Sequence, residues 1–189
     1  MPTVEPVPAF TFEMQQGTVA RYLVQEQLAS LDLPNDAVGE TTGVSGSIAF
    51  SEDGSVMWET SRIEVDLQSL KSDSGKRDNY LRGKSLESER FPMVVFVPTE
   101  VTGLAWPLPS EDALVFEMAG DMRVRDVTRP VTWNVEASFD GHQVSGKAVT
   151  RFTFGDFQMK VPSVFIVISV EDDIRLEIDF VASVLAANQ

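Results

Sequence analysis

Residues 174–182, Ile174-Arg175-Leu176-Glu177-Ile178-Asp179-Phe180-Val181-Ala182, alternate without a slip. Ile174, Leu176, Ile178, Phe180 and Ala182 face one way, and Arg175, Glu177 and Asp179 face the other. A period of two over this length is the pattern of a strand with one face in a core and one in water. The same pattern recurs along the rest of the chain. Ala20, Tyr22 and Val24 alternate within 17–26, and Val44, Gly46, Ile48 and Phe50 do so before the turn residues Glu52-Asp53-Gly54-Ser55. Ile63, Val65 and Leu67 stand against Arg62, Glu64 and Asp66. Further strands are predicted over 93–101, 114–124, 127–139 and 143–154, the last two joined by Phe139-Asp140-Gly141-His142. The result is about eight strands and an all-β fold. An antiparallel set of that size closes naturally into a barrel, because closure removes the exposed edges. An eight-stranded interior is just wide enough to be filled by side chains or to hold one small ligand.

Only 69–90 breaks the alternation. Ser72-Asp73-Ser74-Gly75 is turn chemistry, and 76–86 is the best helical candidate, with Tyr80 and Leu81 amid charge. The charge is also uneven here. Six cations (Lys71, Lys76, Arg77, Arg82, Lys84, Arg90) meet four acids (Asp73, Asp78, Glu87, Glu89), so the segment is +2 and the rest of the chain is −16. Two readings follow: a solvated helix face with Arg77 paired to an acid and Asp78 fixing a turn, or a basic insert over one end of the barrel that meets a polar or anionic head group or a lipid surface.

Composition bounds the function. The chain has 189 residues, 43% of them hydrophobic, a length at which one domain can bury a sizeable core. Its net charge of −14 argues against a nucleic-acid partner. With no cysteine, thiol catalysis, thiolate zinc sites and iron–sulfur clusters are excluded. The longest apolar run, 164–170, is strand-sized and far short of the roughly 20 residues a spanning helix needs. The first eight residues contain three prolines and lack the positive start and apolar stretch of a secretory signal. Residues 1–16 are therefore expected to be an extended lead-in to a domain over 17–185.

Motifs that could carry chemistry have simpler explanations. Gly141-His142-Gln143-Val144-Ser145-Gly146-Lys147 spells most of a phosphate-binding loop, but Ala148 stands where Ser or Thr should hold Mg²⁺ and no helix is expected to follow. His142 is the sole histidine and sits in that turn, so no second base exists for Ser–His chemistry. Gly43-Val44-Ser45-Gly46 lacks the last position of a nucleophile elbow. Glu171-Asp172-Asp173 and the acids around Pro34 lack the alternating spacing of a Ca²⁺ loop, so they read as solvated acidic turns. No catalytic residue, metal or cofactor is expected.

Several segments taken in order resemble the YceI family of lipocalin-like, polyisoprenoid-binding proteins. They are Gly46-Ser47-Ile48-Ala49-Phe50, Ile63 through Leu70, Lys76-Arg77-Asp78-Asn79-Tyr80-Leu81-Arg82 and Arg90 through Phe96. Downstream, Ala119 through Val131 is similar to the family's GxLTIRGVTRPV pattern, and Phe154-Gly155-Asp156-Phe157 to a dFG segment. Asn79-Tyr80 and Ser85-Leu86-Glu87-Ser88 depart from the family pattern at the expected mouth. The resemblance implies an eight-stranded antiparallel lipocalin-like barrel with a helical insert between strands 3 and 4. It also implies an isoprenoid chain in the lumen, no catalysis, and a periplasmic or extracellular location. Many relatives pair, so a homodimer stays open, as does transient contact with a membrane surface.

The expected lumen residues are Tyr22, Phe50, Val65, Leu81, Phe91, Phe96, Phe116, Trp133, Phe152 and Phe180, with Lys76, Arg77, Asp78 and Arg82 at the mouth or head group. The function this implies is binding, transport or sequestration of a long apolar lipid such as a quinone or polyprenyl lipid. The alternative is a secreted structural or interaction protein whose barrel is packed solid.

Overall fold

In a computed structural model of the chain, which describes residues 7–30, 32–163 and 167–186, eleven strand segments form one antiparallel sheet that closes where β1 meets β11. They are β1 (Phe10–Met14), β2 (Val19–Leu28), β3 (Asn35–Thr41), β4 (Val44–Phe50), β5 (Arg62–Asp66), β6 (Lys71–Ser72), β7 (Met93–Thr102), β8 (Glu111–Val124), β9 (Val127–Asp140), β10 (Gln143–Phe152) and β11 (Val167–Ala186). Three pairs of segments are halves of single staves. β1 and β2 both lie along β11, β3 and β4 run along them in turn, and β5 and β6 continue the series. The barrel therefore has eight staves, as the alternation implied, and the helical insert falls between the third and fourth.

Local chemistry explains the breaks. Between β1 and β2 the Thr18 hydroxyl replaces the missing ladder: it donates to the Val181 carbonyl and accepts from the Val181 N–H, both at 3.1 Å. Between β3 and β4 the Gly43 N–H donates to Thr41 Oγ1 at 2.9 Å. The insert begins with helix α1 (Gly75–Tyr80), capped by Ser74, whose hydroxyl accepts from the Arg77 N–H at 3.4 Å. A π-helical turn, Leu81–Ser85, continues it.

Two expectations need correction. Phe10–Met14 belongs to the barrel rather than to a lead-in: it pairs with both β4 and β11, and Phe12 is buried. Its own alternation, Phe10, Phe12 and Met14 against Thr11 and Glu13, is a strand pattern that the preceding prolines obscured. The expected extended stretch over 1–6, like residues 164–166 of the apolar run, lies outside the described residues. Second, Glu171-Asp172-Asp173 is a bulge inside β11 rather than a turn, since Val170 pairs with Glu26 and Ile174 with Val24. Asp172 accepts from the Phe154 N–H at 2.7 Å and Asp173 pairs with Arg151, so both carboxylates have partners within the protein.

The two poles differ in their closure. At one, Phe12 stacks against Phe50 with ring centroids 4.9 Å apart and against Phe139 at 6.1 Å. The β7–β8 loop brings Trp106 edge-on to Phe10 at 5.5 Å and donates its Nε1–H to the Glu52 carbonyl at 2.8 Å. Gly54 makes that approach possible: with φ at +84°, a Cβ there would lie 2.8 Å from the Trp106 ring. The other pole carries the β2–β3 turn, the insert, the β8–β9 turn and the β10–β11 loop.

Candidate ligand cavity

The inward faces of the staves enclose a cavity of about 620 Å³, lined mainly by apolar side chains. That lies within the roughly 300–1,000 Å³ of small-molecule sites and far exceeds the occasional water-sized void of a packed core. The strand periodicity builds it. β2 contributes Ala20, Tyr22, Val24, Glu26 and Leu28, and β11 contributes Ile174, Leu176, Ile178, Phe180 and Ala182, each alternate residue of its strand.

Eight of the ten expected lumen residues reach its wall: Tyr22, Val65, Leu81, Phe96, Phe116, Trp133, Phe152 and Phe180. Phe50 and Phe91 do not line it. Phe50 is fully buried in the aromatic plug behind Phe12. Phe91 lies beneath the Arg90 guanidinium, 4.8 Å from its ring centre. Alternation assigns a side chain to the inside of a barrel, but only the packing of its ends separates lumen wall from plug. Of the expected mouth residues, Lys76 and Arg77 line the cavity, whereas Asp78 and Arg82 do not.

The mouth holds a polar knot inside an apolar tube. Glu26 is an inward position of β2, and its carboxylate, 7% exposed, pairs with Arg77 of α1 at 2.5 Å. Arg77 also reaches Asp73, one helical turn back, at 2.5 Å. Burial works against the Arg77 charge, but the hydrogen bond to Asp73 and the field of Glu26 outweigh it and hold the guanidinium above its ordinary value. Asp78 fixes the turn: it accepts from the Ser72 N–H at 3.0 Å and from the Ser72 hydroxyl at 2.7 Å. Beneath this knot lies Tyr22, its ring packed flat over Gly39, where a Cβ would come within 2.2 Å of it. Burial pushes the Tyr22 phenol up to about 12, against the opposing positive charge of Arg77 and the neighbouring Ser72 hydroxyl.

Two contributors escaped the sequence reading. Glu26 was not among the expected site residues, although its parity with Ala20, Tyr22 and Val24 points it inward. Arg125, in the β8–β9 turn at φ +56°, ties the rim together. Its Nη1 donates to the Ser85 carbonyl and to Glu87 at 3.3 Å each, and its Nη2 donates to the carbonyls of Phe157 at 3.3 Å and Gln158 at 2.9 Å. It thereby joins the insert to the β10–β11 loop. The signal was present in the segment Ala119–Val131, but it had served only to mark a strand–turn–strand.

A closed antiparallel barrel of eight staves with an apolar lumen and a helical flap at one mouth defines an internal-cavity binding fold. Residues 16–182 match the family described as YceI-like domain, and the chain belongs to that family. Solved structures share the fold at low identity. Burkholderia cenocepacia BcnA aligns with a TM-score of 0.65 at 14% identity, covering 89% of this chain and 99% of that one. A polyisoprenoid binding domain from Saccharophagus degradans, implicated in plant cell wall breakdown, aligns at 0.66 and 9% identity over 96% and 100%. A Campylobacter jejuni YCEI protein aligns at 0.60 and 18% over 83% and 90%. No curated protein matches the chain significantly.

Proposed function

We propose that the barrel binds a long apolar lipid of isoprenoid type, a quinone or polyprenyl lipid, and carries or sequesters it outside the bilayer without transforming it. The single observation that carries this reading is the cavity of about 620 Å³ walled by Phe96, Phe116, Trp133, Phe152 and Phe180. An apolar tail leaving water gains about 25 cal/mol per Å² of surface it buries, and a closed barrel offers a dry wall along its whole length. The Saccharophagus neighbour, a polyisoprenoid binding domain, supports the class of ligand. A solidly packed barrel working by its outer face is the weaker reading, because such a lumen has no packing explanation. Binding rather than catalysis is supported by the placement of His142, exposed in the β9–β10 turn at the pole opposite the mouth. A setting in the periplasm or outside the cell suits a protein that shields a lipid from water.

The test is native mass spectrometry with organic extraction of protein purified without detergent from a membrane-containing host. One isoprenoid-mass lipid per chain is expected, and Ala148→Phe, which fills the wall beside Val135, should abolish it while the protein stays folded. A protein that is empty and refuses added quinone and polyprenol would overturn the reading.

A further inference from the structure

The cations sort by position. Those along the barrel body are all neutralised by ion pairs: Arg21 with Glu40 and Asp179, Arg62 with Glu64, Lys147 with Glu177 and Asp179, and Arg175 with Glu177. At the mouth most are not. Lys71, Lys76, Arg82, Lys84 and Arg90 of the insert form no ion pair among the described residues, although the insert contains four acids. The same holds for Arg123, at the β8 end of the β8–β9 turn, and for Lys160 in the β10–β11 loop, while Arg129 across that turn has the Asp156 carboxylate in its field. A second observation falls on this pole. Leu33, at the tip of the β2–β3 turn, is 76% exposed, Ile168, at the start of β11, is 69% exposed, and Val161, in the loop before it, is 40% exposed. Val167 pairs with Leu28, so Ile168 and the β2–β3 turn sit side by side.

Apolar tips on the same pole as basic side chains without ion-pair partners match an anionic bilayer: lysine and arginine heads meet phosphates while leucine and isoleucine enter the acyl boundary. We propose that the mouth rim is a docking surface for a membrane rich in anionic lipid, engaged mouth first. The proposal extends the reading of the lumen as a lipid site, since it places the cavity entrance against the phase in which an isoprenoid resides. It does not depend on that reading for its physics.

The net charge of −14 does not forbid the contact. Rim acids such as Asp32, Glu89 and Asp126 temper the local attraction, but the main excess of carboxylates lies on the body and far pole. β8 is 14 residues long. At about 3.3 Å per residue and a tilt near 40°, a stave of that size lifts the far pole roughly 35 Å from the surface. The Debye length at physiological salt is about 8 Å, so that charge is screened while the rim cations are in contact.

The experiment is co-sedimentation with vesicles of phosphatidylglycerol and phosphatidylcholine, free of any isoprenoid, against vesicles of phosphatidylcholine alone. Binding is expected only to the anionic vesicles and should weaken steeply with salt. Lys76→Ala with Lys84→Ala should weaken it at least tenfold, and Leu33→Asn or Ile168→Asn, which leave the charge unchanged, should weaken it without altering its salt dependence. Trp58→Asp, exposed at the opposite pole, should leave it unchanged. Absence of binding to anionic vesicles at low salt, or equal binding by the rim variants, overturns the proposal. Because the vesicles contain no lumen ligand, an empty lumen leaves this result intact. Conversely, uptake of quinone from solution by a protein that ignores vesicles would sink the docking surface alone.

Discussion

The two ends of the barrel are closed by different chemistry. The far pole is a plug of Phe12, Phe50 and Phe139, backed by Phe10 and Trp106, in which only the Trp106 indole spends a polar contact. The mouth is closed by the insert, and α1 contains no buried residue. What holds the insert is the ion pair Arg77–Glu26 and the four hydrogen bonds of Arg125, with Leu81 on the cavity wall and Leu86 against the core as its apolar contacts. An aromatic plug opens only by exposing large apolar surface. A polar clasp exchanges its contacts for water at a net cost of about 1 kcal/mol per hydrogen bond. The mouth, not the plug, is therefore the end of the tube that can serve as the door.

Substitutions should separate the ends. Phe50→Ala removes the centre of the plug and should cost about 3–5 kcal/mol in urea unfolding. A loss as small as that of a rim variant would erase the contrast. Arg77→Met leaves the Glu26 carboxylate buried without its cation and should cost roughly 3 kcal/mol. Adding Glu26→Leu should restore most of it, because a buried pair contributes little beyond its apolar replacement. Failure of the double variant to recover would mean that the knot is an anchor rather than a clasp. Arg125→Met should cost about 2 kcal/mol globally. Its sharper signature is faster amide hydrogen exchange across 75–86 and 155–159 with no change around Phe12 and Phe139. Uniform acceleration would show that the two poles open together.

The contrast also explains what was legible in the sequence. Staves that run clean from plug to mouth, such as 174–182, declare themselves because their faces meet two different solvents. The β1 stave did not, because three prolines precede it and a four-residue break at 15–18 separates it from its continuation. Lumen residues such as Phe96, Trp133 and Phe180 follow from parity alone. Phe50 has the same parity and lies in the plug, because position along the barrel axis depends on register between strands distant in sequence. The clasp was the least legible. Glu26 and Arg77 are 51 positions apart, and three of the four bonds of Arg125 go to backbone carbonyls, which have no residue identity to read.

The smallest predicted effect concerns Tyr22, which lies under the clasp. Its phenol is raised from 10.0 to about 12 in the folded protein, mainly by burial. An unfolded tyrosine loses its proton near 10. Between those values the folded chain retains a proton that the unfolded chain has released. Stability contributed by the neutral phenol is therefore complete below pH 10 and drains away as the pH rises toward 12. The measurement is the difference in thermal midpoint between the parent and Tyr22→Phe across that window, in which every contribution the two chains share cancels. The phenylalanine variant should lose less stability as the pH climbs, and an ultraviolet titration of the parent should show phenolate appearing above 10 that the variant lacks. If the two midpoint curves stay parallel, water already reaches the hydroxyl, and the clasp must stand open in the resting protein rather than closing over the tyrosine.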